Sequence, residues 1–340
     1  MESDRTSIDK NIAVMHDWES AETLEKFCSV MIQAEPLFFS RIGGSDYECV
    51  RDYFNDPEVV NNYKWYKHNY QKVRSHNGYF DFENKQENFV KYLETMLRCY
   101  KDSNAVTYGN TKLINSFESG QFLGADASFI NHICQNKVCV NYTFIEGIHP
   151  FLKSLHNWLN NKKILIVSPL SQSIEYQFKN KDKLYNNYTF PNFELSTYNT
   201  KITYSDKDNH RTAMNVTTSN WLEEAGRMSE EIAKLDFDIA LLSCGSYAMY
   251  LGDFIKHKLN KKSLYLGGIL NMLFNIYGGR YNQHGYVQLG LRVGLDPAYQ
   301  IDPFENEDVK NIKSGRDFKT ESLRAYFGTN PINVKKDHNV

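Results

Sequence analysis

A doubly wound, mostly parallel α/β sheet with helices on both faces is the fold class that three features of this 340-residue chain predict. A short β-branched run, Lys163-Ile-Leu-Ile-Val-Ser168, is stopped by Pro169. Two more apolar runs, Asp238-Ile-Ala-Leu-Leu-Ser243 and Ser263-Leu-Tyr-Leu266, break into glycine-bearing loops, Cys244-Gly245-Ser246 and Gly267-Gly268. After each loop, apolar residues return at helical spacing. Strand, small-residue turn and helix therefore recur in a Rossmann-like manner.

Towards the N-terminus, Leu24, Phe27, Cys28 and Met31 share one face of a first helix, with Ser20 as its cap and Pro36 beyond its end. Leu37-Phe-Phe-Ser-Arg-Ile42 then reads as a buried strand, which leaves the core through Gly43-Gly44-Ser45-Asp46-Tyr47-Glu48. Val50, Tyr53 and Phe54 restore helical spacing. Residues 55–83 are polar and aromatic with no sustained period, which predicts irregular helix and loop able to serve as a lid or acceptor wall. Phe89, Val90, Leu93, Met96, Leu97 and Tyr100 predict a helix over 84–100. Residues 105–109 and 138–142 read as strands, and Pro150 opens a helix through Phe151, Leu155, Trp158 and Leu159.

In the second half, a helix over 172–179 precedes an extended, Asn-rich excursion over 185–208. A long helix carries Trp221, Leu222, Ala225, Met228, Ile232 and Leu235 on one face, and helices over 247–258 and 269–276 follow their glycine loops. The chain thus divides into an N-terminal α/β part over 1–145, a Rossmann-like half over 146–304 and a charged extension over 305–340, together one compact catalytic domain.

Thirty-nine Lys plus Arg against 41 Asp plus Glu leave a formal charge of −2, so no global field draws in nucleic acid or an anionic membrane. No apolar run reaches the roughly 18 residues of a membrane span, and the first residues lack the apolar centre of a signal peptide, which predicts a cytoplasmic protein. The six cysteines form no CxxC pair and read as reduced packing residues, and the sequons at Asn141, Asn187 and Asn215 matter only in a secreted chain. Twenty-three Tyr, 21 Phe and 4 Trp suit sugar stacking and an aromatic core equally.

In open parallel sheets, ligands bind beyond the carboxyl ends of the strands. Gly43-Gly44, Ser168-Pro169, Cys244-Gly245-Ser246 and Gly267-Gly268 would all lie on that edge. There is no GxxxxGK[ST] loop, no GxGxxG after a strand and no GxSxG elbow, which argues against a P-loop hydrolase, a dinucleotide oxidoreductase and an α/β-hydrolase. Cys244 follows a strand, but no His stands at a recognisable spacing to activate it.

Backbone N–H groups at Gly43 and Gly44, opening a helix, favour an anion. Ser45 and Glu48 have the spacing of a capping box, with Asp46 complementing the helix dipole. Asp46-Tyr47-Glu48 is equally a DxE triplet, whose two acids can share a divalent cation bound to a pyrophosphate. Arg280, after Gly278-Gly279, can neutralise the same phosphates or offset a helix C-terminus.

Five segments occur in order over residues 38–282: Arg41-Ile-Gly-Gly-Ser-Asp46; Lys163-Ile-Leu-Ile-Val-Ser-Pro-Leu170 with Ile174 and Gln177; Trp221; Asp236-Phe-Asp-Ile-Ala-Leu-Leu-Ser-Cys-Gly-Ser-Tyr247; and Leu264-Tyr-Leu-Gly-Gly-Ile-Leu-Asn-Met-Leu-Phe-Asn-Ile276 with Gly279-Arg280-Tyr281. Together they resemble the GT-D-type glycosyltransferase group of bacterial polysaccharide and protein-glycosylation clusters. That group has Arg-x-Gly-Asp-x-Glu at the first strand exit, so its first acid falls on Gly44 and its second on Asp46. Tyr281 and Asn282 stand where such proteins tend to have Trp and Asp.

The resemblance implies a transferase that moves a sugar from a UDP- or GDP-linked donor to a hydroxyl of a glycan acceptor, with a divalent cation, Mn²⁺ or Mg²⁺. On this reading Asp46 and Glu48 are catalytic and hold the metal. Arg41, Gly43, Gly44, Ser45, Ser168, Gln177, Gly245, Ser246, Tyr247, Gly267, Gly268 and Arg280 would surround the nucleotide sugar. The same phosphate cradle would also suit a nucleotide-sugar modifying enzyme, such as a pyruvyl- or phosphotransferase, or a non-catalytic glycan- or nucleotide-binding module.

Overall fold

The computed structural model describes residues 13–15, 29, 33–108, 124–141, 158–186, 189–203, 216–277 and 294–303. The expected first helix, most of the expected helix after Pro150, Arg280 with its neighbours, and the extension beyond 303 lie outside them.

Among the described residues, eight strands form one sheet: β1 (Ala13–Met15), β2 (Leu37–Ile42), β3 (Ala105–Tyr108), β4 (Val138–Asn141), β5 (Lys163–Val167), β6 (Glu194–Tyr198), β7 (Ile239–Leu242) and β8 (Lys262–Tyr265). Their order is β1-β4-β3-β2-β8-β7-β5-β6, and every pairing is parallel. β2 pairs with both β3 and β8, so the two halves of the chain share one continuous sheet.

The helices are α1 (Gly44–Asn55), α2 (Tyr63–Asn77), α3 (Gln86–Asp102), α4 (Gly124–Cys134), α5 (Ser171–Lys179), α6 (Trp221–Ile232), α7 (Tyr247–Leu259) and α8 (Ile269–Leu273), with a 3₁₀ turn at Pro57–Asn61. None is long and apolar enough to cross a membrane.

Alternation along the strands sends side chains to two cores. Phe38, Val106, Cys139, Leu165, Val167, Ala240 and Leu242 face α1, α3, α4, α6 and α7. Leu37, Phe39, Ala105, Ile164, Ile166, Ile239, Leu241 and Leu264 face α5, α8 and Trp158. The sheet is therefore doubly wound. α7 lies directly on its centre because Gly252 has no side chain: a Cβ there would sit 2.1 Å from a Phe38 ring carbon.

Two segments are more regular than the sequence-based expectation. Residues 63–77, expected as irregular helix and loop, form the regular fifteen-residue α2, capped by Asn62 at its start and ended by Gly78 in the left-handed region at φ 80°. Its buried positions are Asn69, Tyr70, Val73 and Arg74, a stripe with a single aliphatic residue, which hides the helical period. Within the excursion over 185–208, residues 194–198 form the edge strand β6, whose half-exposed side chains give no hydrophobic alternation.

Candidate functional site

Because all strands are parallel, their exits share one edge. On that edge β2 leads to α1 and β7 to α7 on one face, whereas β8 leads to α8 and β5 to α5 on the other. The neighbouring strands β2, β8, β7 and β5 thus send their chains away in alternating directions. That divergence opens crevices above the strand ends, where ligands of such sheets bind.

The β2 exit brings Asp46 into the first turn of α1. Its N-cap is Gly43, with no side-chain cap, so the helix begins before Ser45 and the expected Ser45–Glu48 capping box does not form. Asp46 is 2% exposed, and its Oδ2 accepts a hydrogen bond from the Tyr100 hydroxyl on α3 at 3.2 Å. Oδ1 receives no hydrogen bond. The carboxylate folds back over Gly43, where a Cβ would fall 2.3 Å from Oδ1. Burial raises the Asp46 pKa above the usual carboxylate range; its own backbone N–H, Tyr100, Asn77 and the Arg41 charge oppose that rise.

Arg41 spans the junction of the two halves. Its guanidinium carbon lies over the Tyr265 ring, 5.8 Å from the centroid, and a Cβ on Gly267 would meet Nη1 at 2.0 Å. Gly267 also holds φ at +60°, so both the turn and the close approach require glycine there. Gly268 follows as the N-cap of α8.

Asp46 and Glu48 do not converge. Two positions apart on a helix, they point to different sides. Asp46 faces inward, whereas half-buried Glu48 pairs with Lys72 Nζ on α2 at 2.5 Å. The pair does not fit a shared cation.

The β7 exit docks α2. Ser246 donates both its N–H (3.0 Å) and its hydroxyl (2.8 Å) to the Asn77 carbonyl, and the Tyr247 hydroxyl lies 3.1 Å from Thr203 Oγ1. Ser246 and Tyr247 therefore build the wall of the site rather than presenting open donors. Between this wall and the β5 and β6 exits lies a cleft lined by Asn77, Gly78, Pro169, Thr200, Lys201, Thr203, Ser243, Cys244 and Gly245, among others. The buried hydroxyls of Thr200 and Ser243 have no hydrogen-bond partner in it. Cys244 is buried and burial pushes its thiol up, the reverse of nucleophile activation.

Two expected residues have local structural roles. Ser168 Oγ accepts from the Leu170 N–H at 3.1 Å, fixing the turn after β5. Gln177 is buried away from Asp46, and its amide donates to the Tyr299 carbonyl at 2.8 Å. For Gly44 and Ser45 the structure gives the backbone, the first two residues of α1.

Arg41, Gly43, Asp46 and Gly267 are thus gathered at one junction, with Gly245 in the neighbouring cleft. Sequence reasoning missed Tyr100, Asn77, Thr200 and Ser243. Tyr100 lies inside an apolar helix stripe, Asn77 in the segment expected as irregular helix and loop, and Thr200 in the extended excursion. Ser243 closed a strand and carried a signal only by that position. No protein-family model, curated protein or solved structure matches this chain.

Proposed function

We propose that the protein is a cytoplasmic glycosyltransferase that moves a sugar from a nucleoside diphosphate donor to a hydroxyl of a glycan acceptor. The observation that carries this reading is the buried Asp46 carboxylate, with one oxygen unpartnered, set beside Arg41 at the junction of strand exits. A carboxylate with a raised pKa is suited to take a proton at neutral pH, and Asp46 would deprotonate the acceptor hydroxyl. Arg41 would offset charge developing on the departing diphosphate. The free volume of the neighbouring cleft, about 10 Å³, is that of a single water, so the donor would lie across its mouth, against the Gly245 turn, rather than inside it.

Since Asp46 and Glu48 diverge, the positive charge in this mechanism comes from Arg41 and no step runs through a metal held by that pair. Incubation with UDP-, GDP- and CMP-sugars and glycan acceptors, followed by product analysis, tests the proposal. A new glycosidic bond supports it. A modified nucleotide sugar without transfer would assign the chain to the other enzyme class, and binding without any product would make it a binding module.

A further inference from the structure

The opposite edge of the sheet carries another group of chemistry-bearing side chains. α3 ends at Asp102, just before β3, and the second half of α7 carries Asp253 and His257. Their i, i+4 spacing places Asp253 and His257 on one helix face, the arrangement by which two side chains of one helix grip one ion. The ligand atoms of Asp102, Asp253 and His257 lie within 4.8 Å of one another. Asp253 is 8% exposed, and its Oδ2 accepts from Arg98 Nη2 at 3.3 Å. Its Oδ1, by contrast, is buried without a hydrogen bond and faces His257 Nε2 at 3.5 Å. A buried acceptor left without a donor is unfavourable unless a positive charge meets it.

We propose that Asp102, Asp253 and His257 bind a divalent cation of the zinc class. One imidazole and two carboxylates match Zn²⁺, Co²⁺ or Ni²⁺, whereas Mg²⁺ and Ca²⁺ favour oxygen ligands alone and more of them. Three protein ligands leave a fourth position to water. Bonds of about 2.0–2.2 Å require the ligand atoms to draw together by roughly 1 Å. Asp253 is fixed by burial, while the His257 side chain, 45% exposed, and the half-buried Asp102 have room to turn. Lys256 donates to the Asp102 backbone carbonyl, joining the helices.

The bound ion would clip α3 to α7. α3 carries Tyr100, the donor to Asp46, and α7 begins with Tyr247 in the cleft wall. The site itself stands independently of the transferase reading.

Zn²⁺ titrated calorimetrically into the chelator-treated full chain tests the proposal, alongside His257→Gln and Asp102→Asn and with Co²⁺ as a spectroscopic substitute. The expected result is one equivalent of Zn²⁺, a melting temperature that rises with Zn²⁺ concentration, and visible Co²⁺ absorption. Each substitution should weaken binding by about tenfold or more, as expected when one of three ligands is lost. His257 is half-exposed, so its replacement tests the site without disturbing the core. An absence of stoichiometric binding by the wild-type chain, or an affinity unchanged in both variants, would overturn the proposal and leave an ion-pair network of Arg98, Asp253 and His257.

Discussion

The Tyr100 hydroxyl donates to Asp46 Oδ2 at 3.2 Å, joining two residues 54 positions apart beneath the exit of the central strand. The bond holds one carboxylate oxygen while the other, over Gly43, stays unpartnered. Tyr100→Phe keeps the ring and removes the donor. Loss of this buried hydrogen bond should cost about 1–3 kcal/mol, measured by denaturant unfolding. Because that bond opposes the rise in the Asp46 pKa, the acid limb of the rate profile should also move to higher pH.

Asp46→Asn should separate stability from turnover. The folded protein raises the Asp46 pKa above the value of about 3.9 expected for the unfolded chain. Folding therefore favours the protonated acid, and wild-type stability falls as pH rises from about 4 through the folded pKa. Asparagine carries no charge to bury, so the variant should gain on wild type across that window and be the more stable protein at pH 8. Removal of a general base should meanwhile lower turnover by about 100-fold or more. A variant that loses stability steadily as pH rises would contradict the electrostatic account; one with wild-type turnover would remove Asp46 from the chemistry.

Glu48→Gln is expected to be mild. The Glu48–Lys72 pair is partly exposed on both sides, so its loss should cost roughly 0.2–1 kcal/mol. Turnover should remain within a few-fold of wild type in the presence or absence of Mn²⁺. A collapse of metal-dependent turnover would show that Glu48 leaves Lys72 to join Asp46 at a cation.

The order of elements and their shared edge were legible in the sequence because β5, β7 and β8 are short strands, buried apart from the lysines that open β5 and β8 and followed closely by small residues, a signal that survives without tertiary knowledge. α2 was not legible, since its buried stripe is built from Asn69, Tyr70, Val73 and Arg74. β6 lies at the sheet edge and carries no alternation to read. At the site, the strand-exit position marked Asp46, but its partner could not be inferred, because the Tyr100 contact depends on how α3 packs against α1. The local spacing that made Asp46 and Glu48 look like a pair was misleading for the same reason: the helix begins at Gly44 and turns them apart.

A thermal-shift screen of the 340-residue chain against UDP-, GDP- and CMP-sugars tests the central claim most directly. The account predicts a saturable rise in melting temperature with one nucleotide class, since a ligand that binds only the native state stabilises it by mass action. The rise should be kept by Asp46→Asn and reduced by substituting Arg41. Stabilisation by a free glycan, with no response to any of these donors at concentrations up to about 1 mM, where even a weak Kd would register, would contradict it.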